Sequence, residues 1–305
     1  MTVARRFDGF DERASEFRGT RLHALVGGPA DGRAVVLLHG LGGSRSNWAF
    51  LAPELARTRR VLLVDLPGHG RSSALPAAPG LGPYADRVAK LLEDEGLAPA
   101  DVVGHSLGGL VGIRLAVSRP ELVRSLVLVA AAGITSSTQR AERALALVGW
   151  IQPGRKVSPH WRAVARSAAL KRLVFGHWFA ADPTALSDDA VEALLVDVNL
   201  HSDTRSAFRV LAGDDPRAVL HLVQCPALLL WGAKDNQLPL EDAFDYARRL
   251  GAPLRTIADC GHLLIVERPA ACLDAVESFL AARSSPFEGR WGNHGSPTPH
   301  RGAEI

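Results

Sequence analysis

The sequence predicts an α/β fold, a mostly parallel sheet with helices on both faces and a helical insertion part-way along the chain. Short apolar runs carry the first half of that prediction. Val35–Leu38 (VVLL), Val61–Val64 (VLLV), Val102–Val103 and Leu126–Val129 (LVLV) are continuous rather than alternating, as strands buried on both faces must be. The second half comes from what lies between them: segments with helical spacing, and strand–helix alternation of this kind builds a parallel sheet.

Residues 1–17 read as an N-terminal segment ahead of a first core block, 18–132. In that block the helical spacing falls at Trp48–Ala56, Tyr84–Glu95 and Leu107–Val117. After Ala130 the rhythm changes. Block 133–220 holds no comparable strand and reads as amphipathic helices broken at Pro153–Gly154, Ser158–Pro159 and Asp182–Pro183. Much of the aromatic material is here: Trp150, Trp161, Phe175, Trp178 and Phe179. The strand pattern resumes at Ala227–Trp231 and Leu254–Ile257 and ends on a helix over Ala270–Ala282, so 221–283 completes the core. Residues 284–305, rich in Gly, Pro and Ser without periodicity, are expected to be a disordered tail.

Composition excludes several classes of function. Lys+Arg exceed Asp+Glu by 35 to 32, a net charge of +3 that is too small to imply nucleic acid or an anionic membrane as partner. The basic run Arg57–Arg60 reads as a solvated turn leading into a strand. Cys225, Cys260 and Cys272 have neither the number for a disulfide framework nor the spacing for a zinc site, so no metal is expected. The first 17 residues lack the apolar centre of a signal peptide, and no stretch is apolar for the length of a membrane helix. A cytoplasmic protein without membrane attachment, monomeric by default and acting on a small molecule, is the expectation.

The stretch DVVGHSLGGLVG, Asp101–Gly112, places Ser106 in the turn between the strand at Val102–Val103 and the helix Leu107–Val117. A sharp strand–turn–helix brings two backbones together, so Gly104 and Gly108 are needed where side chains would collide. Such a turn lifts the hydroxyl above the carboxyl edge of the sheet, where open parallel sheets place ligands. A serine hydroxyl is a weak nucleophile until a base takes its proton, and the base needs an orienting acid.

Asp235, in the loop after the strand ALLLW, is the acid candidate; the other position for it, after Leu126–Val129, is occupied by Ala130–Ala132. His262 follows the strand Leu254–Ile257 behind a glycine, 27 residues beyond Asp235, and is the base candidate. His105, His69, His201 and His221 sit within motifs, turns or the insertion and read as structural. An oxyanion formed at an attacked carbonyl needs waiting N–H groups. The amide of Leu107 supplies one, and HGLGG, residues 39–43, supplies a second through Leu41. Gly40 and its glycine neighbours let the main chain approach a substrate, while His39 is read as hydrogen-bonding this loop from below.

Taken together, LLHGLGG (37–43), LVDLPGHGRS (63–72), VGHSLGG (103–109), LLLWGAKD (228–235) and DCGHLLIVERP (259–269) resemble the α/β-hydrolase superfamily, in particular its capped members with an HG oxyanion loop. The resemblance runs from about Arg18 to Arg283. It implies an eight-stranded, mostly parallel sheet, a lid domain over the active site, and no metal or organic cofactor. It implies Ser106 as nucleophile, His262 as general base, Asp235 as its orienter and the Leu41 and Leu107 amides as oxyanion donors. The Asp65–Ser72 block is read as structural. Serine at 106 argues against the aspartate-nucleophile lineages, haloalkane dehalogenases and epoxide hydrolases. VGHSLGG also differs from the GGSWG usual in proline iminopeptidases.

An insertion apolar on its inward faces suits an apolar or mixed acyl or alkyl group. Arg140, Arg143, Arg155, Lys156 and Arg162 make its first half basic, either to steer an anionic substrate or as solvated helix faces. Cleavage of a carboxylic ester, lactone or thioester is the leading expectation. The same triad used for C–C cleavage, lyase, cyclase or acyl-transfer chemistry is one alternative, and a ligand receptor on the same fold is another.

Overall fold

A computed structural model describes residues 2–76, 80–135 and 153–282. Arg140, Arg143, Trp150 and the expected tail 284–305 lie outside the described residues. The strands are β1 (Asp11–Phe17), β2 (Thr20–Gly27), β3 (Arg33–Leu38), β4 (Arg59–Asp65), β5 (Ala100–His105), β6 (Val123–Val129), β7 (Ala227–Gly232) and β8 (Leu254–Ile257). They form one eight-stranded sheet in the order β1-β2-β4-β3-β5-β6-β7-β8. β1 pairs antiparallel with β2 and β2 with β4, and every other neighbouring pair is parallel. Both faces of the central strands are covered: Val35–Leu38, Val61–Val64, Val102–Val103 and Leu126–Val129 are all fully buried. Helices Gly82–Asp94, Leu107–Ser118, Leu240–Leu250 and Pro269–Ala282 provide much of that cover.

Two elements differ from the sequence-based expectation. Residues 11–17 are not a separate segment but the edge strand β1, joined to β2 by a tight turn with Arg18 at φ 48° and Gly19 at φ 71°. DERASEF is mostly exposed and offers no apolar run to reveal it. Trp48–Ala56 is not one helix. It is a short 3₁₀ turn, Arg45–Trp48, followed by a helical turn, Ala52–Leu55. Pro53 sits in the first turn of the second piece, where its missing N–H costs nothing, whereas a continuous helix would bury it in the interior.

Parallel register puts the carboxyl ends of β3, β5, β7 and β8 on one edge of the sheet. His39, Ser106, Asp235 and His262 therefore all leave strands on that side. Between β6 and β7 lie the helices Pro153–Val157, Trp161–Arg166, Ala168–Phe179, Asp188–Leu195 and Thr204–Gly213. Ser167, Ser187 and Asp203 cap the last three, each side chain accepting from a backbone N–H of the first turn. Of the insertion's aromatic residues Phe175 is buried, but Trp178 is 69% and Phe179 39% exposed, so the latter two are not core. The Asp65–Ser72 block is stitched internally: Ser72 Oγ–H donates to the Asp65 carbonyl (2.6 Å), and the Asp65 carboxylate accepts from the amides of Arg45 and Arg71. Among the described residues no helix is long and apolar enough to cross a membrane.

Candidate active site

Ser106 stands at the junction of β5 and the helix Leu107–Ser118 with φ 52° and ψ −114°, a conformation costly for any residue with a Cβ. Backbone bonds hold it there: its N–H donates to the Val129 carbonyl (3.0 Å), and its own carbonyl accepts from Gly109 (3.0 Å) and Ala132 (3.2 Å). The neighbouring glycines are required by contact. A Cβ on Gly104 would lie 2.4 Å from the Gly108 carbonyl oxygen, and one on Gly108 would lie 2.2 Å from that of Leu38. In both cases the obstacle is main chain, which cannot rotate away.

Asp235 and His262 meet. The Asp235 carboxylate accepts from the amides of Gln237 (2.9 Å) and Leu238 (2.8 Å) through one oxygen and from His262 Nδ1–H (2.8 Å) through the other. Both side chains are almost fully buried. With the proton fixed on Nδ1, the lone pair is left on Nε2, so this imidazole can accept a proton there. The backbone of His262 is tied down as well: its N–H donates to the Phe179 carbonyl (2.8 Å), and its carbonyl accepts from His105 Nε2–H (2.9 Å). The rings of His105 and His262 lie 4.9 Å apart. Among the described residues the Ser106 hydroxyl itself makes no hydrogen bond.

Around the serine, the HGLGG loop follows β3. His39 is fully buried and bonds in both directions, Nδ1–H donating to the Gly40 carbonyl (2.7 Å) and Nε2 accepting from the Leu66 amide (3.0 Å). A Cβ on Gly40 would come 3.2 Å from the Ser106 Cβ, so the loop passes directly over the serine. The amides of Leu41 and Leu107 have no hydrogen-bond acceptor among the described residues. Such groups beside a reacting carbonyl can meet a developing oxyanion.

Glu267 escaped the sequence reading of roles, and His69 and His201 are read there only as structural. Glu267 accepts from the amides of Gly261 (3.1 Å), Leu263 (3.0 Å) and Ala181 (2.8 Å), clasping the His262 loop to the insertion. It lies within DCGHLLIVERP, but a lone glutamate at the end of the short helix Leu264–Glu267 carries no local signal of a backbone clasp. His69 and His201 pack against the HGLGG loop. Among the described residues no group of His, Cys, Asp and Glu is arranged to hold a metal ion.

Burial sets the protonation of the surrounding histidines. It pushes His39 and His105 down to about 3, and it also lowers His69 and His201. His39, His69 and His105 stay neutral when folded but take a proton when unfolded below about pH 6.5. Stability from these groups is therefore complete above that pH and is lost as pH falls. Asp65, pushed up to about 6 by burial, acts in the opposite direction, as do Asp242 and Glu267, also raised by burial. Each histidine contributes a slope of up to about 1.4 kcal/mol per pH unit. Between pH 6.5 and 5 the loss carried by the three buried histidines His39, His69 and His105 exceeds the opposite contribution of Asp65, and the urea midpoint is expected to fall across that interval. A midpoint that is flat or rising as pH drops from 6.5 to 5 would contradict this assignment of neutral imidazoles.

Residues 35–275 match the family model described as "Alpha/beta hydrolase family". The chain belongs to the alpha/beta hydrolase family. Among sequence relatives, this α/β hydrolase is 32% identical over 275 residues to the dihydrolipoyllysine-residue acetyltransferase component of an acetoin cleaving system from Pseudomonas putida, covering 87% of this chain and 68% of that one. It is 36% identical over 218 residues to a pimeloyl-(acyl-carrier protein) methyl ester esterase from Chromobacterium violaceum, covering 68% of this chain and 78% of the other. Among solved structures it superposes on the enol-lactonase from Burkholderia xenovorans LB400 with a TM-score of 0.70 at 26% identity, covering 88% of this chain and all of that one. The homologues support hydrolase activity for this α/β hydrolase.

Proposed function

We propose that this α/β hydrolase cleaves a carboxylic ester, lactone or thioester of a small apolar or mixed substrate through an acyl-enzyme on Ser106. The observation that carries this reading is the buried Asp235–His262 hydrogen bond, 2.8 Å long, at the same carboxyl edge of the sheet as a serine held at φ 52°. In the proposed reaction His262 Nε2 takes the hydroxyl proton as Ser106 Oγ bonds to the acyl carbon. The carbonyl electron pair moves to oxygen, where the Leu41 and Leu107 amides stabilise it. Collapse expels an alkoxide or thiolate, which takes the proton back from His262. Water then repeats the sequence on the acyl-enzyme and releases the acid and the free serine. Nothing beyond the side chains and amides named is needed for these steps, so the proposal includes no cofactor.

The helices between β6 and β7 are assigned the role of a lid. Phe179 bonds through its carbonyl to the His262 amide, and Gly261 abuts Ala180 and Ala181, so the insertion reaches the site edge. Exposed aromatic surface at Trp178 and Phe179 supports an apolar acyl or alkyl group. The esterase and lactonase relatives favour hydrolysis. Transfer of the acyl group to an acceptor other than water is the second reading, favoured by the relative named as an acetyltransferase component.

A fluorophosphonate probe, which phosphonylates activated serines, is expected to label the wild-type chain stoichiometrically and to leave Ser106→Ala unlabelled. Equal labelling of the two would refute the assignment. Product analysis with a thioester in the presence of alcohol or thiol acceptors separates hydrolysis from transfer.

A further inference from the structure

Consecutive peptide groups of the HGLGG loop are each held by an imidazole. The Gly40 carbonyl accepts from His39 Nδ1–H (2.7 Å) and from the Gly43 amide (3.0 Å). The Gly42 amide donates to His69 Nε2 (3.1 Å), and His69 Nδ1–H is spent on the Pro67 carbonyl (3.0 Å). The Gly42 carbonyl accepts from His201 Nε2–H (3.0 Å), while His201 Nδ1 accepts from the Gly70 amide (2.9 Å). The rings follow one another, His39 to His69 at 5.1 Å and His69 to His201 at 5.2 Å between centroids, and all three residues are buried. Each ring uses one nitrogen as donor and the other as acceptor, which fixes its tautomer.

These bonds matter because of what they flank. A planar trans peptide points its N–H away from its C=O, so fixing the Gly40 carbonyl aims the Leu41 amide in the opposite direction. The next peptide is fixed at the Gly42 amide and the one after it at the Gly42 carbonyl. Gly42 has φ 71° and no side chain to restrain it, so external anchors must set the geometry of the loop. Two of the imidazoles, His39 and His69, come from the core block. His201 comes from the insertion, just after the helical turn Val198–Leu200, and the following amides of Ser202 and Asp203 both donate to the Gly68 carbonyl.

We propose that His201 is a positioning residue: by holding the Gly42 carbonyl it aims the Leu41 amide at the oxyanion and makes that geometry depend on the insertion. The proposal rests on the serine-hydrolase reading above. An asparagine at 201 reaches only as far as Nδ1 and keeps a partner for Gly70 while losing the bond to Gly42. A glutamine reaches the Nε2 position and keeps the donor. A methionine fills the space without it.

The test is turnover of p-nitrophenyl butyrate per active site, the sites being titrated with a fluorophosphonate so that only competent enzyme is counted. Losing an oxyanion donor outright costs 10²–10³ in kcat, so a misaimed one is expected to cost about 10–100-fold in His201→Asn and His201→Met, with KM within about twofold. His201→Gln should recover kcat to within about threefold of wild type. A purely structural role would reduce the number of titratable sites without changing kcat per site. Wild-type kcat per site in His201→Asn or His201→Met, with Ser106→Ala inactive, would overturn the positioning role and leave the serine reading standing. So would a series in which only His201→Gln folds. Activity that survives Ser106→Ala would instead overturn the reading on which both rest.

Discussion

Ser106→Ala is expected to lower kcat for p-nitrophenyl esters by roughly 10⁴–10⁶-fold, the range seen when the nucleophile of such a triad is removed. The size of the effect follows from the division of labour proposed for the site. Without Oγ no acyl-enzyme forms, and the remaining groups can only assist a water molecule that the turn was not built to hold. Oxyanion donors and substrate binding would still act, which is why the expected loss is finite. Stability should move little, because the Ser106 hydroxyl makes no hydrogen bond among the described residues and alanine occupies the same φ of 52° at a similar cost. Circular dichroism and the urea midpoint check the fold, and a burst-phase assay checks the chemistry. Turnover within tenfold of wild type in a folded Ser106→Ala protein would mean that another residue carries the reaction.

How much of this site could be read in the sequence depended on the range of the interactions involved. Gly104 and Ser106 are legible because their constraint lies within one turn, where the backbone of Gly108 and Gly109 blocks a side chain on Gly104. Gly108 is legible as part of the same motif, although its own obstacle is the backbone of Leu38 and His39 at the end of β3. Asp235 is legible because it follows the apolar strand β7, and His262 because it follows β8, which is partly exposed but runs parallel to β7 and so ends at the same sheet edge. His201 is different. Its partners Gly42 and Gly70 lie 159 and 131 residues away, and nothing in NLHSDT distinguishes it from a solvent-facing histidine. Glu267 is similarly silent, since one of its three amide partners, Ala181, lies 86 residues upstream. For the fold, the buried central strands announce themselves as apolar runs, whereas β1 covers little core and reads as polar chain. Pro53 was visible in the sequence, but helical spacing alone masked the break it imposes.

Asp235→Asn is expected to lower kcat by about 10⁴-fold while leaving KM and the fold nearly intact. Asparagine is the same size, and its carbonyl oxygen can still accept from the Gln237 and Leu238 amides, which bond at 2.9 and 2.8 Å in the native protein. Its amide nitrogen then faces His262 Nδ1 as a donor where an acceptor is required. The imidazole must respond by moving its proton to Nε2, which removes the lone pair from the side proposed to accept the serine proton. The imidazolium formed during attack would also lose its buried counter-charge. Among the described residues no neighbouring carboxylate stands ready to substitute. Ala130–Ala132 occupy the end of β6, and Asp242 is engaged by the amide and hydroxyl of Thr135. Glu267, close to the same loop, has its oxygens committed to three backbone amides. The measurement is kcat and KM on one ester at pH 7–8, alongside the urea midpoint. A kcat within tenfold of wild type would show that His262 is oriented by something other than Asp235. A loss of both kcat and stability would show that the carboxylate serves the loop rather than the imidazole.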